Sequence, residues 1–182
     1  MNPRAFLRNV LAVQALMFST AAVAQERLAA QPTTTAGVRD GAGMFSETAI
    51  RDADESLHKL ARDFGVVAVV ETVESLKGGE TIGEAAIRLA RRAAFKGVLV
   101  LVAKQDMKIE VLASTNFRDA FSPETLHSVR LAFSDSFREK DFDSGLIDGV
   151  RAIATASATA AAEKKLPLEA AAPPERSPTA LV

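Results

Sequence analysis

The chain has 182 residues, 48% of them hydrophobic and 25% charged, with a formal net charge of −1. That balance lacks the basic footprint of a nucleic-acid binder, and the absence of cysteine excludes disulfides, thiolate nucleophiles and cysteine-ligated zinc. What is left is the composition of one ordinary globular domain, with residues to spare for processing and tails.

Met1 to Arg8 is a short basic stretch and Val10 to Ala22 is almost wholly apolar. Ala22-Val23-Ala24 then puts small residues at the −3 and −1 positions before Gln25-Glu26. This order matches a cleavable secretory signal peptide over residues 1–24 and predicts a periplasmic or secreted protein. Losing that segment, with Arg4 and Arg8 and no acid, takes the net charge from −1 to −3. No later stretch approaches the ~20 apolar residues of a membrane-spanning helix, so none is expected in the mature chain. Residues 25–37 read as a flexible leader, 38–157 as the folded domain, and the Ala/Pro-rich residues 158–182 as a disordered tail.

Within the domain, Ser46 is a helix N-cap and Gly65 a helix terminator. Between them Ile50, Ala53, Leu57, Leu60, Ala61 and Phe64 recur at helical spacing, predicting an amphipathic helix over 47–63. Its charged residues Arg51, Asp52, Asp54, Glu55 and Lys59 read as a solvated face, with Glu55 and Lys59 spaced to pair. Val66 to Val70 is a β-branched run of strand length. After Gly78-Gly79, residues 81–94 read as a second helix. Gly97 to Ala103 and Lys108 to Leu112, separated by a polar turn, read as an antiparallel hairpin. Ser122-Pro123-Glu124 opens a third helix, and a break at residues 140–143 precedes a fourth, with Asp143 as its cap. The order α-β-α-β-β-α-α predicts an α/β (α+β) domain, a small mixed sheet packed by about four helices.

The sequence holds no H-E-x-x-H, G-x-S-x-G, Walker or G-x-G-x-x-G motif. His58 and His127 fall on separate helices with no partner in register, too few for zinc. Candidate chemistry therefore reduces to loop carboxylates: Asp40 before the first helix, Asp106 in the hairpin turn, and Asp141 and Asp143 between the last two helices. Such groups can converge on calcium or magnesium, or act more plainly as turn formers and caps.

Four segments carry a family resemblance. Val38-Arg39-Asp40-Gly41-Ala42-Gly43-Met44-Phe45-Ser46 resembles the opening of TPM domains. Gly79 to Leu89 and Gly97 to Val102 resemble their second helix and core strand, and Phe137 to Leu146 is similar to their closing F-R-x-G-D-Y-D-x-G-L. The resemblance covers about residues 36–155. It implies an exported, commonly membrane-linked domain that assists envelope proteins or membrane complexes. It also implies an alternative activity, a divalent-cation-dependent acid phosphatase using Asp40, Asp141 and Asp143, with calcium or magnesium held by those residues and Asp106. Two polar elements of the family are replaced, by Phe95-Lys96-Gly97 and by Ser114-Thr115-Asn116-Phe117-Arg118. A cation at Arg118 is expected to repel a metal, which favours a non-catalytic binding module with another envelope or membrane protein as partner.

Overall fold

Ser46 does begin the first helix: its hydroxyl accepts from the Ala49 N–H, and the chain stays helical over Glu47–Phe64 (α1) until Gly65 turns left-handed. The computed structural model describes residues 35–167. The predicted signal peptide, most of the leader and the end of the tail lie outside the described residues. Ahead of α1 comes a strand absent from the sequence-based order, Gly37–Asp40 (β1). It is followed by Ala68–Val73 (β2), Ile82–Arg92 (α2), Val98–Ala103 (β3), Lys108–Ala113 (β4), a short 3-10 turn, Pro123–Arg138 (α3) and Phe142–Ala162 (α4). The class is α+β, as expected, with four helices and a four-stranded mixed sheet among the described residues.

Sheet order is β1-β2-β3-β4. The first three strands are parallel, Asp40 standing beside Thr72 and Thr72 beside Val102. β4 returns antiparallel against β3, with Ala103 opposite Lys108 and Val98 opposite Ala113. The ends of β1, β2 and β3 and the β3–β4 turn therefore share one edge of the sheet, and the 97–98 and 113–114 junctions share the other. Gly97 is required at that second edge: its φ is +147°, and a Cβ there would lie 1.9 Å from the Val67 carbonyl oxygen.

Alternation along the strands divides the core. Val70, Val100, Val102 and Val111 face α1, α3 and α4, meeting Leu57, Leu60, Val129, Phe133, Leu146 and Ile153. Leu101 and the partly buried Val73 and Leu112 face α2 alone, through Ala85 and Ala86. Each large side chain fully buried in the first layer contributes about 1.5–3 kcal/mol, so that layer dominates the fold. α2 is held by a capping box, with Thr81 and Glu84 satisfying each other's backbone N–H groups.

Several details differ from expectation. α4 runs to Ala162, with Ser157 and Ala160 buried, so the domain boundary placed at 157 falls inside a helix. Its N-cap is Asp141 rather than Asp143. Lys59 pairs with Asp63, one turn on, instead of Glu55. Asp54 leaves the supposed solvated face and accepts the Val38 N–H at 2.7 Å.

Candidate functional site

β1 delivers Asp40 to the edge where the parallel strands end, the place where open α/β sheets commonly bind ligands. Its carboxylate turns back on its own loop. Oδ1 accepts from the Met44 N–H at 3.0 Å and from the Thr72 hydroxyl at 2.5 Å, while Oδ2 accepts from the Phe45 N–H at 2.9 Å. Thr72, a buried polar residue of β2, also accepts from the Ala42 N–H at 3.0 Å. From the end of β3, Lys104 donates to the Ala42 carbonyl at 2.8 Å, with its ammonium 3.8 Å from Glu74. Partial burial pushes the Asp40 pKa up, but hydrogen bonds from Met44, Thr72 and Phe45 and the charge of Lys104 outweigh it, and the net shift is downward.

Asp143 joins the same loop from the start of α4, accepting the Ser46 N–H at 2.8 Å. Asp40 and Asp143 together therefore engage three consecutive backbone N–H groups, those of residues 44, 45 and 46. The loop is anchored further by Phe45, whose ring lies 6.1 Å from Phe137, itself packed on Phe133 and Phe142. Asp141 accepts from the Ser144 N–H at 3.1 Å as the cap of α4, and hydrogen bonding to the Ser144 side chain, together with that backbone bond, lowers its pKa. Asp106 belongs to a different contact: it accepts the Leu76 N–H at 2.8 Å and ties the β3–β4 turn to the loop after β2.

Of the four aspartates, the structure thus brings Asp40 and Asp143 to one loop, sets Asp141 beside them in the chain as a cap, and holds Asp106 on the β2–α2 connection. Among the described residues, no three acidic or histidine side chains gather as ligands of one ion. A concavity of about 580 Å³ lies elsewhere, between α3 and α4, lined by Ser122, Thr125, Ala152, Thr155 and their neighbours. It holds neither Asp40 nor Asp106, so size alone does not mark the chemistry.

Arg118 comes after the strand end opposite the Asp40 loop. It follows β4, whose end is fixed to the opposite edge by Ser114 donating to the Gly97 carbonyl and Gly97 donating to the Ser114 hydroxyl, both at 2.9 Å. Arg118 is exposed and follows the strand end farthest from Asp40 along the sheet. Sequence reasoning passed over Thr72 and Lys104. The one usable signal was a hydroxyl placed in the strand that continues the aliphatic Val66–Val70 run.

A four-stranded mixed sheet with helices on both faces, and an Asp-closed loop at the end of its first strand, defines a small α+β domain of a recurrent kind. The TPM domain matches residues 38–156, and the chain belongs to that family. No curated protein matches the chain. Among solved structures, the N-terminal domain of a protein from P. gingivalis is similar at 20% identity and a TM-score of 0.59, covering 71% of this chain and 85% of that one. The BA42 protein of the psychrophilic bacterium Bizionia argentinensis is similar at 17% identity and a TM-score of 0.56, covering 68% and 84%. The N-terminal domain of cg2496 from Corynebacterium glutamicum is similar at 12% identity and a TM-score of 0.57, covering 81% and 86%. At such identities the likeness speaks for the fold. Among the described residues, no helix is long and apolar enough to cross a membrane.

Proposed function

We propose that this TPM domain is an exported, non-catalytic accessory module that binds another envelope or membrane protein. One observation supports this above the rest. Backbone N–H groups at a helix entrance are the standard cradle for a phosphate, and here those of residues 44, 45 and 46 already serve Asp40 and Asp143. A phosphate ester approaching this loop would meet two carboxylates instead of open donors. The same bonds commit three of these four carboxylate oxygens to the loop, leaving the pair poorly suited to enclose a hard cation as well.

The test pairs two measurements on the mature domain. In the first, hydrolysis of a generic phosphomonoester and thermal stability are followed with and without millimolar calcium or magnesium. A native-state ligand at 100 times its Kd adds about 2.7 kcal/mol, an unmistakable shift. The accessory reading expects no shift and no turnover, and cross-linking in intact cells that joins the domain to one envelope protein in stoichiometric yield. Turnover that needs the cation and disappears in a folded Asp143→Asn variant would overturn it in favour of a phosphatase. Localisation is tested in the same cells: recovery of the uncleaved chain from the cytoplasm would refute export.

A further inference from the structure

The two outermost strands of the sheet, β1 and β4, are treated differently along their outer sides. At β1 the outward Val38 N–H is taken by Asp54 at 2.7 Å, and the Asp40 carbonyl accepts from Gly43. That edge is closed by the protein's own groups. At β4 the inward positions follow from the bond between Ser114 and the Gly97 carbonyl and the alternation of an antiparallel ladder. Residues 108, 110 and 112 pair with β3, so the N–H and C=O groups of Ile109, Val111 and Ala113 point away from the sheet. No described group bonds to them. An open strand edge is a template for another extended chain.

The edge also carries a recognisable pattern. On the core face stand Val111, buried, with Ile109 and Ala113 half-buried against it. On the other face stand Lys108 and Glu110, with Leu112 beside them. At the entry to the strand Met107 is 91% exposed with a φ of +52°, an adaptable apolar side chain held out beside the free edge. We propose that β4 receives an extended segment of the partner protein as a fifth strand, antiparallel to it. That segment would carry apolar residues on the core face, an acid opposite Lys108 and a base opposite Glu110. This rests on the accessory reading above and names its surface. A second copy of this chain fits less well. Two-fold pairing centred on Glu110 sets like charges face to face, and pairing centred on Val111 leaves Glu110 opposite Leu112 of the other copy.

The test uses the mature domain and a synthetic hexapeptide, VTIKVE, written so that its valines and isoleucine lie opposite Ala113, Val111 and Ile109, its lysine opposite Glu110 and its glutamate opposite Lys108. A control peptide is methylated on the isoleucine and second valine nitrogens. Amide exchange is read by NMR. The expected result is at least a tenfold slowing at Ile109, Val111 and Ala113 with the plain peptide and none with the methylated one. Glu110→Lys should abolish the slowing, and replacing the peptide lysine by glutamate should restore it. Unchanged exchange at all three amides, or equal slowing by both peptides, overturns the proposal. So does slowing that grows with protein concentration and no peptide, which assigns the edge to a second copy. If the domain still joins an envelope protein in cells while these amides exchange freely with peptide present, β4 is refuted and the accessory role survives.

Discussion

Asp40 gives the sharpest contrast between a catalytic and an architectural carboxylate. Substituting Asn keeps its size and shape but makes one of its two acceptor atoms a donor. If the new NH2 takes the Oδ2 position, the Phe45 N–H faces a donor. If it takes the Oδ1 position, both Met44 and Thr72 do. The cheaper choice abandons Phe45, and an unpaired, partly buried N–H costs about 1–3 kcal/mol. The two surviving bonds also lose their ionic character, which roughly halves them. The expected destabilisation is about 2.5 kcal/mol, read as a lower urea midpoint at unchanged m-value. The depressed pKa adds a pH signature. A carboxylate with its folded pKa below its unfolded value stabilises fully above about pH 4, and that contribution fades as pH falls through the folded pKa. The gap between wild type and Asp40→Asn should therefore be widest near neutrality and shrink in acid. A variant that loses under 0.5 kcal/mol yet loses ion binding or hydrolysis would show that Asp40 is kept for chemistry, and the architectural reasoning would fail.

Three further outcomes test neighbouring contacts. Thr72→Val should cost about 1–3 kcal/mol, because the Ala42 N–H loses its acceptor, whereas Thr72→Ser should retain most of the stability in the same urea titration. Gly149→Ala should destabilise by about 2 kcal/mol, since its Cβ would lie 2.2 Å from the buried Phe133 ring and overpacking outweighs the helical preference for alanine. Gly83→Ala, with nothing within 4 Å, should instead stabilise by up to about 1 kcal/mol, and thermal shifts of the same sign in both variants would refute the steric account. Asp54→Ala should free the Val38 N–H, seen as faster amide exchange at that residue and concentration-dependent association through β1.

Local signals in the sequence were enough to place the first and third helices, because Ser46, Gly65 and Ser122-Pro123 act on their own neighbours. β1 was not legible. Its four residues are strand only through pairing with β2 and the bond from Val38 to Asp54, contacts made across the fold. The Ala-rich end of α4 read as a tail because its composition is simple, yet alanine is the best helix former, and Ser157 and Ala160 pack inward. The loop aspartates were recognisable as special residues. Their partners were not, because Asp143 acts on a residue 97 positions away and Asp106 on one 30 away. Lys59 had two acids within one turn, and only rotamers settle which one it meets.

Arg118 shows where motif reasoning and geometry part. As a replacement for a family acid it suggests electrostatic repulsion of a metal at the aspartates. A strand rises about 3.3 Å per residue, so the length of β3 puts the opposite edge about 15 Å or more from Asp40. Across that distance in water, two unit charges interact by about 0.3 kcal/mol. The separation also exceeds the ~8 Å Debye length at physiological salt, and Arg118 is exposed. Reversing its charge should then leave the aspartate edge untouched. The Arg118→Glu variant is expected to show the same thermal response to calcium and magnesium as wild type, within about 0.3 kcal/mol. A cation-dependent stabilisation that appears only in Arg118→Glu would mean the two edges communicate, or that the ion site lies beside residue 118, and the accessory assignment would lose its footing in the occupied amides of residues 44 to 46.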